Sequence, residues 1–207
     1  MRLDHFRGLA GYWRVNGSSK TAICGKWINS PGKTLLNKLK IDLGTDYLPI
    51  IAEDLGVITP DVEKLRSNFK LPGMKILQFA FDGNEDNPYL PKNIEGENWV
   101  VYTGTHDNST SISWWECLEN NSKERIKDEY KFSENPSWSL IKIGMETNAN
   151  LFIAPIQDIL SLDDSSRLNT PGTTTNNWKW KINLPLEEIE EDIRRFSELG
   201  NNFGRTR

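Results

Sequence analysis

Strand-like and helix-like segments alternate along most of the chain, and this alternation constrains the fold more than any other feature. Apolar runs such as residues 74–81 and 99–102 are typical of strands buried on both faces of a parallel sheet. Segments with apolar residues at helical spacing, such as residues 33–43, lie between these runs. The alternation predicts a parallel sheet with right-handed crossovers, which is an α/β fold.

Three acidic residues follow three of the strand-like runs. Asp4 ends the first short strand, Glu53 follows the apolar residues 48–51, and Asp107 lies beyond residues 99–102. Because sites in parallel α/β folds are built at the C-terminal ends of strands, we expect these carboxylates to line a cleft. Three carboxylates suit the cleavage of an acetal, with one as nucleophile, one as proton donor and one as electrostatic support.

Arg2 precedes Asp4 by two residues, so both side chains project to the same face of a strand. A guanidinium beside a carboxylate favours its ionised form, which a nucleophile needs. Arg-x-Asp is also a common structural pair, and by itself it does not identify a site. Asp54 points to the opposite face from Glu53 if the strand persists, and we interpret Asp54 as structural.

Composition bounds the function. The chain has 207 residues and a formal net charge of −4, and this mild acidity argues against a nucleic-acid partner. No apolar run approaches the ~18 residues of a membrane span, so we expect no membrane partner. We expect a cytoplasmic location, or a stromal one if a lost N-terminus carried a transit peptide. Two distant cysteines and two histidines make a zinc site improbable, and we expect no metal.

Five motifs together resemble those of the 4-alpha-glucanotransferases, also called amylomaltases or disproportionating enzymes, a branch of the alpha-amylase superfamily. The motifs run in the family's order through nearly the whole chain. They are Arg2-Leu3-Asp4-His5-Phe6-Arg7-Gly8, Ala52-Glu53-Asp54-Leu55-Gly56, Leu71-Pro72-Gly73-Met74-Lys75, Tyr102-Thr103-Gly104-Thr105-His106-Asp107-Asn108 and Asn169-Thr170-Pro171-Gly172. Any one of them is weak evidence, whereas the five in order make a chance resemblance improbable.

The resemblance implies the C-terminal portion, about strands four to eight, of a (β/α)8 TIM barrel. A complete barrel takes ~250 residues, and family members carry a long segment before the Arg-x-Asp motif. We therefore expect residues 1–207 to be a single partial catalytic barrel domain whose N-terminal barrel strands are missing. By itself the chain is expected to be an inactive fragment, and a missing N-terminal half is one candidate partner.

The resemblance also implies the roles of the acidic residues. Asp4 is expected to be the nucleophile, Glu53 the general acid and base, and Asp107 the transition-state stabiliser. A general acid must hold its proton near neutral pH, which burial and neighbouring negative charge favour.

Four further residues are expected to bind substrate on the same grounds: Arg2, His106, Asn108 and Asn169. Each also has a structural interpretation. His106 could be an ordinary loop histidine, Asn108 could form an Asx turn, and Asn169 could be a plain turn residue.

The activity implied is transfer of α-1,4-glucan segments between maltodextrins by a retaining double displacement, without any cofactor, in starch, glycogen or maltodextrin metabolism. One alternative is an α-glucan hydrolase of the same superfamily, because nothing in the motifs encodes transfer over hydrolysis. Acceptor-site aromatics contribute to that preference, and Trp13, Trp27 and Trp114 are candidates. Another alternative is a non-catalytic, glucan-binding remnant.

Four local predictions concern the limits of elements. Residues 9–26, rich in glycine, are expected to form a loop or a short helix. Residues 74–81 and 151–156 are expected to be strands. A final helix is expected to open at Pro185 and to stop at Gly200.

Overall fold

The computed structural model describes residues 1–205, which form an α/β structure as predicted. Its strands are β1 (Arg2–Leu3), β2 (Gly11–Val15), β3 (Gly25–Asn29), β4 (Ile51–Ala52), β5 (Gly73–Ile76), β6 (Trp99–Tyr102) and β7 (Leu151–Ile153). Its α-helices are α1 (Gly32–Leu43), α2 (Pro60–Asn68), α3 (Ser111–Glu116), α4 (Asn120–Tyr130), α5 (Pro136–Glu146), α6 (Ile156–Ile159) and α7 (Leu186–Asn202).

Contacts divide the chain into two compact units. Unit 1 comprises Met1–Met74 and Asn98–Val100, and unit 2 comprises Lys75–Glu97 and the chain from Val101 onward. The expectation that residues 1–207 form one domain stays a prediction.

In unit 1, β1 and β4 form a parallel pair. Arg2 is in register with Ile51, and Leu3 with Ala52. The N–H of Ala52 also donates to the carbonyl of Pro72, just before β5, at 2.8 Å. Consequently Asp4 and Glu53 both come directly after paired residues, at the same end of the two strands.

A continuous apolar core lies against this pair in unit 1. Helix α1 begins at Gly32, one residue before the predicted segment, and contributes the fully buried Leu36. Helix α2 begins at Pro60, as the Thr59-Pro60 pair indicates, and contributes Val62 and Leu65. The buried core residues are Phe6, Leu36, Leu48, Ile50, Ala52, Val62, Leu65, Phe69 and Leu71.

The prediction of a loop or short helix over residues 9–26 is wrong, because β2 and β3 form an antiparallel hairpin. Trp13 and Trp27 are directly opposed in this hairpin, with ring centroids 5.5 Å apart. A Cβ at Gly25 would lie 2.6 Å from the Trp13 ring, so glycine is needed for that indole to cross the partner strand. The glycines that indicated a loop thus include one that makes room for cross-strand aromatic packing.

Besides these two strand pairs, the described residues contain a three-stranded sheet with the strand order β5-β6-β7. The predicted strand over residues 74–81 ends early, because β5 stops at Ile76 and a 3-10 turn, Leu77–Phe79, follows. Leu77 and Gln78 are buried in this turn. A buried turn is as apolar as a buried strand, so hydrophobic pattern alone does not distinguish them.

The predicted strand over residues 151–156 is also too long. Strand β7 ends at Ile153, and the carbonyl of Pro155 accepts the N–H groups of Asp158 and Ile159 at 2.9 and 3.2 Å, which starts α6. Proline at this position opens the helix instead of continuing the strand.

In unit 2 the sequence predicted the start of helix α5 correctly but not the end of helix α7. Helix α5 begins at Pro136, and the side chain of Asn135 accepts the N–H of Trp138 at 3.1 Å, as expected of an N-cap. Helix α7 does not stop at Gly200, which is buried within it. Its end comes at Asn202, and Gly204, with a φ of +66°, lies just beyond. No helix of the described residues is long and apolar enough to cross a membrane.

Asp158, on α6, is a buried carboxylate that joins three elements of unit 2. One oxygen accepts the hydroxyl of Thr103, after β6, at 2.5 Å, and the other accepts the N–H of Ser111, the first residue of α3, at 2.7 Å. Burial raises the pKa of Asp158 above its usual value, and these hydrogen bonds oppose that rise. The carboxylate thereby fixes both ends of the loop between β6 and α3.

Asp54 is structural, as interpreted. Its Oδ2 lies 3.1 Å from Nε of Arg66, and its Oδ1 accepts the N–H of Met74 at 2.7 Å. The Asp54 and Arg66 side chains are only 7% and 12% exposed, and Arg66 also donates to the carbonyl of Leu71 at 3.1 Å. This buried ion pair ties the residue after Glu53 to α2 and β5.

We predict that Asp54→Ala lowers the free energy of unfolding by about 3–5 kcal/mol, because it leaves the Arg66 charge buried and unpaired. The control is Asp42→Ala, which removes the exposed ion pair between Lys38 and Asp42 and should change that energy by less than about 1 kcal/mol. Urea unfolding of the variants measures both values. Similar losses for the two variants would contradict the structural role of Asp54.

The raised pKa of Asp158 predicts a pH dependence. The folded state holds the Asp158 proton more tightly than the unfolded state, whose pKa stays near 3.8, so the stability contributed by Asp158 falls as pH rises through the folded-state pKa. Between about pH 3 and about pH 7, the unfolding free energy of Asp158→Asn should therefore increase relative to the parent.

Asp163 is the matched control, because hydrogen bonds from Ser165 lower its pKa. Its stabilising contribution is lost as pH falls through the folded-state pKa, so the difference for Asp163→Asn should change with pH in the opposite sense. Urea unfolding over this pH range gives both differences. A pH-independent difference for Asp158→Asn would rule out the buried titration.

Candidate active site

The main chain of β1 holds Glu53 in place. The N–H of Glu53 donates to the carbonyl of Leu3 at 3.0 Å, and the Glu53 carbonyl accepts the N–H of Phe6 at 3.1 Å. Its side chain is held as firmly, because Oε2 accepts the N–H of His5 at 2.7 Å and Oε1 accepts the N–H of Leu55 at 3.0 Å. The Glu53 carboxylate is therefore bound to the peptide that joins Asp4 to His5.

Asp4 is oriented by Arg2, as the sequence predicts. The Arg2 Nη2 donates to the Asp4 Oδ1 at 2.7 Å, and the Asp4 side chain remains 77% exposed. His5 then adopts a left-handed conformation, with φ and ψ both 50°, and leads into the 3-10 turn Phe6–Leu9. An uncommon backbone conformation of this kind is typical of functional sites. Unit 1 thus brings together Arg2, Asp4 and Glu53, of which Asp4 presents an exposed carboxylate.

In unit 2 the loop after β6 carries the second group of predicted residues. Asn108 Oδ1 accepts the N–H and the hydroxyl of Thr105 at 2.9 and 2.8 Å, so this side chain closes the turn. That contact supports the structural interpretation of Asn108. His106 lies next to Trp178, with ring centroids 4.9 Å apart.

Asn169 reaches the same loop. Its Nδ2 donates to Asp107 Oδ1 at 2.5 Å, and its own N–H donates to the carbonyl of His106 at 3.2 Å. His106 Nε2 lies 3.4 Å from Asp107 Oδ1, and the Asp107 side chain is 45% exposed. Unit 2 therefore brings together His106, Asp107, Asn108 and Asn169, which are separated by as many as 63 positions in the sequence.

Sequence reasoning missed Arg167, which contacts two of these residues. Its guanidinium donates to the carbonyls of Asp107 and Asn169 at 2.6 and 2.8 Å. Arg167 stands two residues before the Asn-Thr-Pro-Gly motif, and nothing in its own sequence context indicates a contact with Asp107. Sequence reasoning also missed the two main-chain N–H groups that donate to the Glu53 carboxylate, because a hydrophobic pattern carries no information about such contacts.

The larger cavities of unit 2 do not coincide with these residues. One cavity of about 410 Å³ is lined by residues of α5 and α7 such as Trp138 and Arg195, and another of about 550 Å³ is lined by Leu151, Phe152 and Phe196. Neither is lined by a predicted site residue, so the candidate site is identified by the chemistry of its side chains and not by cavity size.

The chemistry available in each unit is specific. Unit 1 places two carboxylates at the ends of adjacent parallel strands, the arrangement from which a nucleophile and a proton donor are drawn in glycoside cleavage. Unit 2 presents a partly exposed carboxylate beside an imidazole and an amide, which can hold hydroxyl groups and positive charge. Among residues 1–205, no group of three metal-ligating side chains is placed to hold an ion.

Comparison with known proteins agrees with this chemistry. The family model described as 4-alpha-glucanotransferase, glycoside hydrolase family 77, matches residues 1–186. The chain is 44% identical over 208 residues to the chloroplastic/amyloplastic 4-alpha-glucanotransferase of Arabidopsis thaliana, a match that covers 99% of this chain and 36% of that protein. It is 43% identical over 207 residues to the 4-alpha-glucanotransferase of Thermus thermophilus, covering 96% and 41% of the two proteins.

A solved structure is similar over the whole chain. The amylomaltase from Streptococcus agalactiae in complex with acarbose matches with a TM-score of 0.90 and 33% sequence identity, over 100% of this chain and 41% of that one. The chain thus spans about two fifths of the length of the relatives that it matches. The resemblance carried by the five motifs is confirmed, and the chain belongs to the 4-alpha-glucanotransferase family, of which it represents a partial length.

Proposed function

We propose that this chain forms the C-terminal portion, about strands four to eight, of a (β/α)8 barrel. Three observations support the proposal: the α/β architecture, the parallel pairing of β1 with β4, and the match to 41% of an amylomaltase chain. In this arrangement Asp4 and Glu53 follow neighbouring barrel strands, where catalytic residues of such barrels lie.

In the complete protein the proposed activity is transfer of α-1,4-glucan segments between maltodextrins. The observation that carries this proposal is the Glu53 carboxylate, which is held by the N–H of His5 immediately beside Asp4. The acarbose complex of the S. agalactiae amylomaltase supports α-glucan oligosaccharides as the ligand class.

The proposed reaction is a double displacement. Asp4 attacks the anomeric carbon while the bond to the glycosidic oxygen breaks, and Glu53 gives its proton to that oxygen. Glu53 then takes the proton of an acceptor hydroxyl, which attacks the same carbon and releases Asp4. Two inversions retain the α configuration.

The remaining residues have supporting roles in this proposal. Arg2 orients Asp4 through its hydrogen bond to Oδ1, and Asp107 stabilises the positive charge that develops on the sugar ring. His106, Asn108 and Asn169 bind sugar hydroxyls, although Asn108 Oδ1 is already engaged in its own turn. The cytoplasmic location stays a prediction.

Among the acceptor-site candidates, the hairpin tryptophans are the better placed. Trp13 and Trp27 are large exposed aromatic surfaces, whereas Trp114 packs against Phe81 with ring centroids 5.8 Å apart. Exposed indoles are available to stack on sugar rings, which favours Trp13 and Trp27 as acceptor contacts.

The test of activity uses a full-length hybrid, in which this chain replaces the aligned part of the T. thermophilus relative. Maltotriose is supplied, and the products are separated by chromatography. Glucose together with longer oligosaccharides indicates transfer, whereas glucose and maltose alone indicate hydrolysis and would overturn the proposal.

We predict that Asp4→Asn abolishes transfer in the hybrid, with a loss on the order of 10³-fold or more, because the amide keeps the shape but not the nucleophilic charge. Rates of maltotriose disproportionation and thermal melting measure activity and folding separately. Asp46→Asn, which changes an exposed carboxylate of the same unit, is the control and should leave the rate unchanged. Transfer by Asp4→Asn within about tenfold of the parent would exclude Asp4 as nucleophile.

Glu53→Gln provides a second prediction, based on leaving-group chemistry. An α-glycosyl fluoride needs little protonation, so the variant should still form the covalent intermediate from this donor. Maltotriose has a poor leaving group that needs protonation, so it should react with Glu53→Gln at least about a hundredfold more slowly than with the parent. Fluoride release and maltotriose consumption measure the two rates. Equal losses with both donors would show that Glu53 is not the acid.

A further inference from the structure

We propose that Arg167 is a positioning residue of the active site, which holds Asp107 and Asn169 in a fixed relation to each other. The proposal rests on the proposed function, since it concerns how Asp107 is kept in place to act on the sugar. None of the five sequence motifs includes Arg167.

Arg167 donates from three different nitrogens to three different residues of unit 2. Nη2 donates to the main-chain carbonyl of Asp107 at 2.6 Å, and Nε donates to the main-chain carbonyl of Asn169 at 2.8 Å. Nη1 donates to the hydroxyl of Ser109 at 3.1 Å. One planar guanidinium therefore joins the loop after β6 to the loop that carries the Asn-Thr-Pro-Gly motif.

These contacts fix peptide planes as well as distances. A carbonyl held by a charged donor cannot rotate freely, and the direction in which the Asp107 side chain leaves the main chain follows from that plane. The side chains then meet, since Asn169 Nδ2 donates to Asp107 Oδ1 at 2.5 Å. Arg167 thus sets the separation that the contact between Asn169 and Asp107 requires.

The guanidinium is itself held and largely withdrawn from solvent. Its side chain is 20% exposed, and Nη1 lies 3.5 Å from Oδ2 of Asp164. Asp164 in turn accepts the N–H of Thr110 at 2.7 Å through its other oxygen. Because the Arg167 nitrogens are engaged with protein groups, we assign Arg167 to positioning and not to direct contact with the sugar.

The expected kinetic effect follows from the geometry of catalysis. A misplacement of about 1 Å in a group that stabilises a transition state costs up to a hundredfold in rate. Lysine is a poor substitute, because its ammonium cannot reproduce a planar fork of donors. Arg167→Lys should therefore lower kcat without a comparable change in KM.

Arg205 offers a matched structural control within unit 2. It donates in the same manner to the main-chain carbonyls of Met145, Ala149 and Thr147, none of which is a predicted site residue. Arg205→Lys thus removes a comparable fork of hydrogen bonds, and it should lower thermal stability while leaving kcat unchanged.

The experiment compares Arg167→Lys, Arg167→Ala and Arg205→Lys in the full-length hybrid, with kcat and KM for maltotriose and for an α-glycosyl fluoride. We expect Arg167→Lys to lower kcat by roughly tenfold to a hundredfold for both donors, with KM within about threefold of the parent. Added guanidinium ion should restore part of the kcat of Arg167→Ala.

Each other result overturns the proposal. A rise in KM at unchanged kcat would assign Arg167 to substrate binding, and a loss of stability at unchanged kcat, as for Arg205→Lys, would make Arg167 purely structural. Rates are expressed per folded enzyme, and Arg167→Lys, the milder change, decides if Arg167→Ala does not fold. Asp107→Asn distinguishes failure of the proposed function from failure of the role of Arg167. If Asp107→Asn retains full activity, the role proposed for Asp107 fails. If Asp107→Asn is inactive while Arg167→Lys is fully active, only the role of Arg167 is refuted.

Discussion

The parallel pairing of β1 with β4 is the constraint on which the chemistry of unit 1 depends. The two strands share only two register pairs, yet these place the peptide after Asp4 against the carboxylate of Glu53. An N–H group that finds no acceptor at a strand end destabilises that end. Here the N–H of His5 is satisfied by the Glu53 side chain, so the same bond that completes the backbone also orients the candidate acid.

In unit 2 the candidate residues are held by hydrogen bonds from side chains instead of by strand pairing. Among residues 1–205, no strand pairs with the loop after β6, and charged side chains fix this loop in place. Asp158 holds both ends of the loop, Asp164 holds the N–H of Thr110, and Arg167 holds the carbonyl of Asp107. Hydrogen bonds to charged groups are about twice as strong as neutral ones, which suits them to ordering a loop without help from a sheet.

This difference explains what could be predicted from the sequence. A carboxylate at the end of an apolar run is visible in the chain, and Asp4, Glu53 and Asp107 were proposed as site residues on that basis. Arg167 was not found, because its partners on the loop after β6, Ser109 and Asp107, lie 58 and 60 positions away and its own neighbours form no pattern. The same limit applies to local structure. The buried turn after Ile76 has the hydropathy of a strand, and β2 and β3 each begin with a glycine, a residue that marks loops elsewhere. Pattern therefore predicted which segments are buried, but not which non-local contacts end them.

The acidic residues fall into two groups, one that stabilises the fold and one that presents carboxylates to a ligand. Asp54 and Asp158 are buried, and each is bound to main-chain N–H groups or to an ion-pair partner, so both orient turns. The carboxylate of Asp4, beside Arg2, is exposed, and that of Asp107, beside Asn169 and His106, is partly exposed, so both remain accessible to a ligand. Asp54 directly follows Glu53, and its ion pair with Arg66 anchors the strand end from the opposite side. Neighbouring carboxylates thus take opposite roles because the alternation of side chains along an extended segment turns Asp54 toward Arg66 and Glu53 toward the peptide after Asp4.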